Sequence, residues 1–585
     1  MARSNRYKKR EESPPPPYSA LDPATSSRPR PRPLPPHTIN PAIAMGRNEH
    51  TPLLCNHQPP VIQIQESNHY SFSNHYNFSL SIKIRRGRAF LATVIFFTCI
   101  IWLLSSLSIF PLRAPTLPRP PPIYNVAIIG AGPAGIAAAQ HLHRSSAAND
   151  VIFNITIFES SPVVGGMLAL HGADGEPVFP NDDPMQGHIT AEDVAGNALM
   201  WQNSLFTRDS EAILGDKVGF TELGTEQVGH YNYEQSVAST VRPYGKSPMT
   251  TWVRLLWTYG ASLYRAAKFN TEGDLRQGML KAPVTTDPEK IFTSLGVLEH
   301  LQQWAGNLLA ERGISDRYAT EILEPQVQRS FGQRLGHVTG FAAMLAAAQE
   351  DSANAYTGGH MIERLERIVR KICVRVRTST RVFGIKYDGQ GKQWNIEHAS
   401  EREASIDTFD KVILAGLGFS INLESSDSSV YNLSSFYQPD VDGPEDGYFH
   451  AVYVTFFTVN TKLPTWGSHG QVLFLNGTGG ELEIKLVRET TSYAATQYLY
   501  RVLSQAPVRG TLKRQYDVLW DYETWIPGWQ PVRSPLFRMP TLEWPVARGL
   551  WFSSLIQYAW STVDLNWLAG KACADALIKE VLEGN

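Results

Sequence analysis

The sequence predicts an α/β fold: a Rossmann-like nucleotide-binding domain joined to an α+β domain, preceded by a single transmembrane helix and a disordered tail. Three observations carry this. "NVAIIGAGPAGIAAAQHL", starting at Asn125, reads as a buried strand, a tight glycine turn and a helix. Just ahead of it, Ala89 to Leu112, "AFLATVIFFTCIIWLLSSLSIFPL", has no charged residue. Further upstream, residues 1–80 are rich in Pro, Ser, Asn and Arg and poor in periodic apolar positions.

The tail, 1–80, cannot offset the entropy of ordering and is expected to be disordered. "PPPPY" within it has Pro15, Pro16 and Tyr18 in the PPxY spacing that WW domains grip, and "RPRPLPP", Arg30 to Pro36, has the spacing that suits an SH3 groove. A plain spacer is the simpler reading of both. The run 89–112 is long enough as a helix to cross a bilayer core of about 30 Å. It lies too far from the N-terminus for a cleaved signal peptide, so it is expected to be an uncleaved signal anchor. Lys83, Arg85, Arg86 and Arg88 precede it and only Arg113 and Arg119 follow closely, which places the tail in the cytosol and the rest in a lumen, vacuolar, lysosomal or secretory. A Pro-rich linker, 113–122, leads to a folded part, 123–585. Sequons stand at Asn154, Asn432 and Asn476. The last two are expected glycan acceptors, whereas Asn154 falls in a predicted core strand.

With 43% hydrophobic and 11% aromatic residues the chain can fill a sizeable core, and its net charge of −2 argues against nucleic acid as a partner. The four cysteines, Cys55, Cys99, Cys373 and Cys573, form no CxxC pair and suggest neither a zinc site nor a dense disulfide framework. No metal is expected.

Gly130, Gly132 and Gly135 follow the first strand in GxGxxG spacing. The first permits the turn, the second lets the backbone approach a pyrophosphate, and the third lets helix and strand pack closely. The next strand, "FNITIFE", ends at Glu159, where an acid accepts hydrogen bonds from ribose hydroxyls. Gly165 and Gly166 in "ESSPVVGGMLAL" resemble the extension seen in flavoproteins of the glutathione-reductase and amine-oxidase type, which favours FAD over NAD. "DKVILAGLGFS" has Gly416 and Gly418 but Ile421 where a third glycine would stand, so it is not a second fingerprint. It resembles the strand and turn that return to the FAD domain in the amine-oxidase group. With one dinucleotide site, the flavin is expected to be reduced by an organic substrate and reoxidised by O2.

"VRLLWTYG" (Val253 to Gly260), "EILEPQVQRSFGQ" (Glu321 to Gln333), "YTGGHMIERL" (Tyr356 to Leu365), "DKVILAG" (Asp410 to Gly416) and "STVDLNWLAGKACADALI" (Ser561 to Ile578) resemble the FAD-dependent prenylcysteine oxidases, also called prenylcysteine lyases. The resemblance implies oxidative cleavage of the thioether in farnesyl- or geranylgeranylcysteine, giving cysteine, the isoprenoid aldehyde and hydrogen peroxide. The carbon beside sulfur is also allylic, so hydride loss is stabilised by the sulfur lone pair and the alkene. No strong base is required, and no catalytic residue is assigned. FAD would be held by Gly130, Gly132 and Gly135 at the pyrophosphate, Glu159 at the ribose, Gly165 and Gly166 at a second phosphate turn, the Val382 backbone at the adenine, and Gly416. Thr562, Val563 and Asp564 would open a helix facing the flavin or its ribityl chain, with ordinary helix capping as the simpler reading. Met167 stands where related flavoproteins commonly carry Arg, a departure that removes one phosphate contact.

FAD-binding parts are expected at about 123–190, 341–425 and 541–585, and substrate parts at about 191–340 and 426–540. Trp252, Leu255, Leu256, Tyr259 and Leu263 at helical spacing either line an isoprenoid tunnel or, more simply, form core. Two other functions fit parts of the sequence: a flavin amine or polyamine oxidase, and an inactive membrane adaptor that recruits WW-domain partners.

Overall fold

The computed structural model describes residues 95–102, 120–168, 197–199, 204–218, 228–232, 237–241, 249–272, 280–388 apart from 332 and 352–354, 392–400, 403–416, 422–424, 430–432, 449–463, 471–475, 480–529 apart from 493 and 494, 542, 549–558 and 562–584. The chain divides into 1–62 and 63–585, and every described residue lies in the second unit. The tail motifs with Pro15, Pro16 and Tyr18, Asn476 and most of 89–122 fall outside the described residues.

A five-stranded sheet stands at the centre, ordered Leu550–Phe552, Lys411–Leu414, Ile123–Ile129, Ile152–Phe158 and Arg375–Arg377, with every pairing parallel. Parallel strands are covered on both faces, so they read as apolar runs rather than alternations. Val126, Ala127 and Ile128 in the middle strand are fully buried, in register with Ile155, Thr156 and Ile157 on one side and Lys411, Val412 and Ile413 on the other. The crossover helix Pro133–Asn149 starts with Pro at its first position, where no N–H is needed, and ends at Asp150 in the left-handed region. Its alanines 137–139 are buried, and the C-terminal helix Val563–Gly584 packs close against it.

A second sheet runs Ala404–Phe409, Gln393–Ser400, Thr380–Asp388, Asn422–Glu424 and Val430–Asn432. A third, of seven strands, takes Val228–Asn232 and Val237–Val241 together with five strands between Phe449 and Trp529. In the chain, the helices from Met249 to Asp351, including a π turn at Ala319–Leu323, follow the strand Val237–Val241. The buried apolar residues among those described all lie between Val126 and Val581, so 123–585 holds the whole of the described core.

Two expectations are revised. Asn154 is not in the core: it is exposed near the start of its strand, and its amide donates to Asn125 Oδ1 at 2.7 Å. The helical stripe splits, because neighbouring residues are rotated by 100°: Leu255, Tyr259 and Leu263 are core, while Leu256 is 58% exposed. Among the described residues no helix is long and apolar enough to cross a membrane. Of the expected anchor only 95–102 is described; it is helical, with Ile95, Phe96, Phe97, Ile101 and Trp102 exposed.

Candidate functional site

The carboxyl ends of the parallel strands bring the glycine turns together. Gly130 has φ +109°, and a Cβ there would meet the Ala415 carbonyl oxygen at 2.8 Å. Its N–H donates to Phe158 O at 2.8 Å, tying the turn to the neighbouring strand. A Cβ on Gly135 would lie 2.0 Å from the Gly130 carbonyl oxygen, so only glycine lets the helix start this close to the strand. Gly132 differs: its φ is −76°, and a Cβ would meet nothing nearer than the Gly166 Cα at 3.7 Å. The two glycine turns therefore face one another, with Gly165 at φ 126° and Gly166 at φ 57°. The Gly165 N–H donates to Ala131 O at 3.0 Å and fastens them.

The helix that begins beyond Gly132 has no side-chain cap and no acidic residue in its first turn. Its N-terminal N–H groups thus keep a partial positive charge for a ligand anion. Met167 lies in the short turn Gly166–Leu168.

Glu159 ends the second strand and is 6% exposed. Its carboxylate accepts from the Ala131 N–H at 2.7 Å and the Ser161 N–H at 2.9 Å. Burial pushes its carboxyl above the ordinary range, while the Ser161 and Ala131 donors pull the other way. Its backbone is gripped on both sides: the N–H donates to Arg377 O and the carbonyl accepts from the Thr380 N–H. From Thr380 the chain enters the strand that holds Val382. Val382 pairs with His398 on one side; on the other, Asn422–Glu424 joins only from Gly384 onwards, so among the described residues that backbone edge at Val382 is left open.

Gly416 lies against Gly130, since a Cβ on Gly130 would come 3.3 Å from the Gly416 nitrogen. Ser553 Oγ donates to Leu414 O at the same end of the sheet, and the next residue, Ser554, is fully buried with an Oγ that has no hydrogen-bond partner among the described residues. Thr562 Oγ1 accepts from the Leu565 N–H at 3.2 Å, the geometry of an N-cap, so this side chain serves the helix. Val563 and Asp564 form the first turn, both buried. The sequence reading missed Gly570, where a Cβ would stand 1.9 Å from the Ala134 carbonyl oxygen. Gly570 is the point at which the C-terminal helix closes on the phosphate-loop helix. The readable signal was a glycine inside "NWLAGKACADALI", an otherwise strong helix in which Gly costs about 1 kcal/mol relative to Ala.

The turn, the uncapped helix N-terminus, the buried acid and the unpartnered Ser554 hydroxyl fit a dinucleotide carrying a pyrophosphate and a ribose with free hydroxyls. Gly130, Gly132, Gly135, Glu159, Gly165, Gly166 and Gly416 lie in this cradle. Of the expected glycan acceptors, Asn432 ends the strand Val430–Asn432. Among the described residues no group of His, Cys, Asp and Glu is placed to hold a metal ion.

Comparison with known proteins gives the same picture for the turn region: residues 127–176 match the FAD-NAD(P)-binding family model. No curated protein matches the chain. Among solved structures, a triple mutant of putrescine oxidase is 13% identical with a TM-score of 0.46, over 79% of this chain and 100% of that one. Wild-type putrescine oxidase bound to putrescine is 13% identical with a TM-score of 0.44, over 78% and 100%. A protein from Pyrococcus furiosus is 14% identical with a TM-score of 0.42, over 79% and 98%. Residues 246–584, more than half of the chain, match the model of the prenylcysteine lyase family. The chain therefore belongs to the prenylcysteine lyase family and is an FAD-dependent oxidoreductase.

Proposed function

We propose that the protein cleaves the thioether of farnesyl- or geranylgeranylcysteine with O2 and water, giving cysteine, the isoprenoid aldehyde and hydrogen peroxide, in the breakdown of prenylated proteins. Family membership over 246–584 is the observation that carries this reading. The balance closes: the carbon beside sulfur loses two electrons, O2 gains them and becomes hydrogen peroxide, water supplies the aldehyde oxygen, and the sulfur leaves as a thiol. FAD, when bound, supplies the two-electron oxidation and passes the electrons to oxygen. The chain's own tasks are to bind and orient. The N–H groups after Gly132 would hold the pyrophosphate, the Glu159 carboxylate the ribose hydroxyls, and the first turn of the helix at Val563 and Asp564 the flavin end.

The uncharged run 89–112 and the basic residues before it support a single-pass anchor with a cytosolic tail and a lumenal oxidase. In that arrangement Asn432 and Asn476 accept glycans, and the PPxY motif is free for WW partners.

Anaerobic titration of 123–585 tests the activity. Farnesylcysteine bleaches the flavin absorption band and spermine does not. Bleaching by spermine alone would replace the reading with an amine oxidase, and a colourless protein would replace it with an inactive adaptor.

A further inference from the structure

The helices Met249–Tyr259 and Ser262–Asn270 carry two apolar faces, and only one is covered. Leu255, Tyr259, Leu263, Ala266 and Phe269 are buried. Met249, Val253, Leu256 and Trp257 are 83%, 59%, 58% and 91% exposed, and Tyr264 on the second helix is 75% exposed. At 100° per residue the first four fall in one sector of the helix about 100° wide, the width of a docking stripe. An uncovered patch of Trp, Leu, Val and Met on a folded domain marks an interaction surface.

The charges around the stripe say what covers it. Between Met249 and Asn270 the sequence has no Asp or Glu, whereas Arg254, Arg265 and Lys268 are all exposed there. The chain as a whole is slightly acidic, with a net charge of −2, so this basic flank is local. Apolar and aromatic side chains flanked by Arg and Lys are what a helix lying in the plane of an anionic membrane presents: rings at headgroup depth, cations on lipid phosphates. The chain's geography agrees. An anchor ending at Leu112 leaves a linker, 113–122, that reaches no more than about 35 Å to the first strand.

We propose that the stripe Met249, Val253, Leu256 and Trp257, flanked by Arg254 and followed by the exposed Tyr264 and Lys268 of the next helix, docks onto an anionic phospholipid bilayer. The contact is additional to the anchor; its placement rests on the anchored, lumenal reading above, in which this face meets the lumenal leaflet. It would hold the domain in one orientation on the surface into which lipid-modified amino acids partition.

The test uses 123–585, which holds the whole of the described core and lacks the anchor, sedimented with extruded vesicles of phosphatidylcholine, with or without phosphatidylserine. Binding to the phosphatidylserine vesicles is expected, with the double variant Val253→Ser/Trp257→Ser lowering vesicle partition by about tenfold or more. Arg254→Gln/Lys268→Gln is expected to remove the preference for phosphatidylserine. Unchanged FAD content and melting temperature identify variants that fold. The proposal is overturned if the unmodified segment sediments with neither vesicle, or if the folded serine variant partitions as before. It is also overturned if ultracentrifugation shows a dimer that the same variant dissolves, since the stripe would then cover a second copy. No substrate is used, so failure here is distinct from failure of the oxidase reading.

Discussion

Gly130 and Gly132 stand two positions apart and carry different loads. Gly130 needs its positive φ and the space before the Ala415 carbonyl, so Gly130→Ala is expected to destabilise the protein even without FAD, by about 1–3 kcal/mol. Gly132 has an ordinary φ and room for a Cβ, so Gly132→Ala is expected to leave the FAD-free protein within about 1 kcal/mol of normal. Its FAD affinity should nevertheless fall by about tenfold or more, because the methyl group occupies the approach of the pyrophosphate. Melting curves of FAD-free protein together with an FAD titration separate the two effects; equal affinity for the Gly132→Ala variant would remove the pyrophosphate from this turn. Glu159 gives a pH prediction. Its folded carboxyl is raised by burial, so its contribution to stability is full below its unfolded pKa and is lost as pH rises through the folded value. Glu159→Gln does not titrate. The melting temperature of the FAD-free variant minus that of the unmodified protein should therefore increase with pH above the ordinary carboxylate range, and a difference that stays flat or falls would contradict the assignment.

Elements were legible where one local pattern decides them. The first strand, glycine turn, crossover helix and second strand lie where the apolar runs and the three glycines place them, because covered parallel strands and a phosphate-loop helix have local signatures. Asn154 was misplaced for a physical reason: an apolar neighbourhood predicts a covered strand, but strand ends emerge from the sheet, and only the three-dimensional edge shows where. The closing helix was legible as a helix, though not as a partner of the phosphate-loop helix. Its start depends on Thr562, so Thr562→Val is expected to cost about 1 kcal/mol through the lost acceptor for the Leu565 N–H, seen as a small fall in melting temperature. Its contact depends on Gly570. In Gly570→Ala the methyl group has the Ala134 backbone in its place, so the two helices must separate. Stability and FAD affinity are expected to fall together, by more than the Thr562→Val change; an unaffected FAD titration would show that the crossing does not support the cradle.

At the scale of the molecule, the candidate FAD cradle draws its parts from both ends of the folded chain, and the strand order that brings them together is not a local pattern. The central sheet takes strands from residues 123, 152, 375, 411 and 550 onwards, and the seven-stranded sheet pairs 228–241 with strands beyond 449. Such registers rest on distant segments meeting: the resemblance led to the expectation of FAD-binding parts at 123–190, 341–425 and 541–585, but the strand order and pairing within them could not be read from the sequence. The C-terminal helix seals this arrangement. It buries Leu565, Trp567, Leu568, Cys573 and Leu577, each removed almost wholly from water. At roughly 1.5–3 kcal/mol for each large apolar side chain, this rivals the whole stability of an ordinary domain, about 5–15 kcal/mol. The same helix supplies Trp567 Nε1 and Lys571 Nζ to the buried carboxylate of Asp209 at 3.3 and 3.0 Å, and Glu580 to Lys411 at 2.6 Å. The two ends of the chain should therefore respond in opposite ways to truncation. Removing 1–122 leaves the described core intact, and 123–585 is expected to be soluble and yellow. Removing only the last helix, to give 123–558, should yield a colourless chain that aggregates or shows no cooperative melting. Expression of both segments side by side, with flavin absorbance and a thermal melt, checks this. A yellow, cooperatively melting 123–558 would mean that the FAD fold closes without its C-terminal helix, and that the crossing at Gly570 is packing alone.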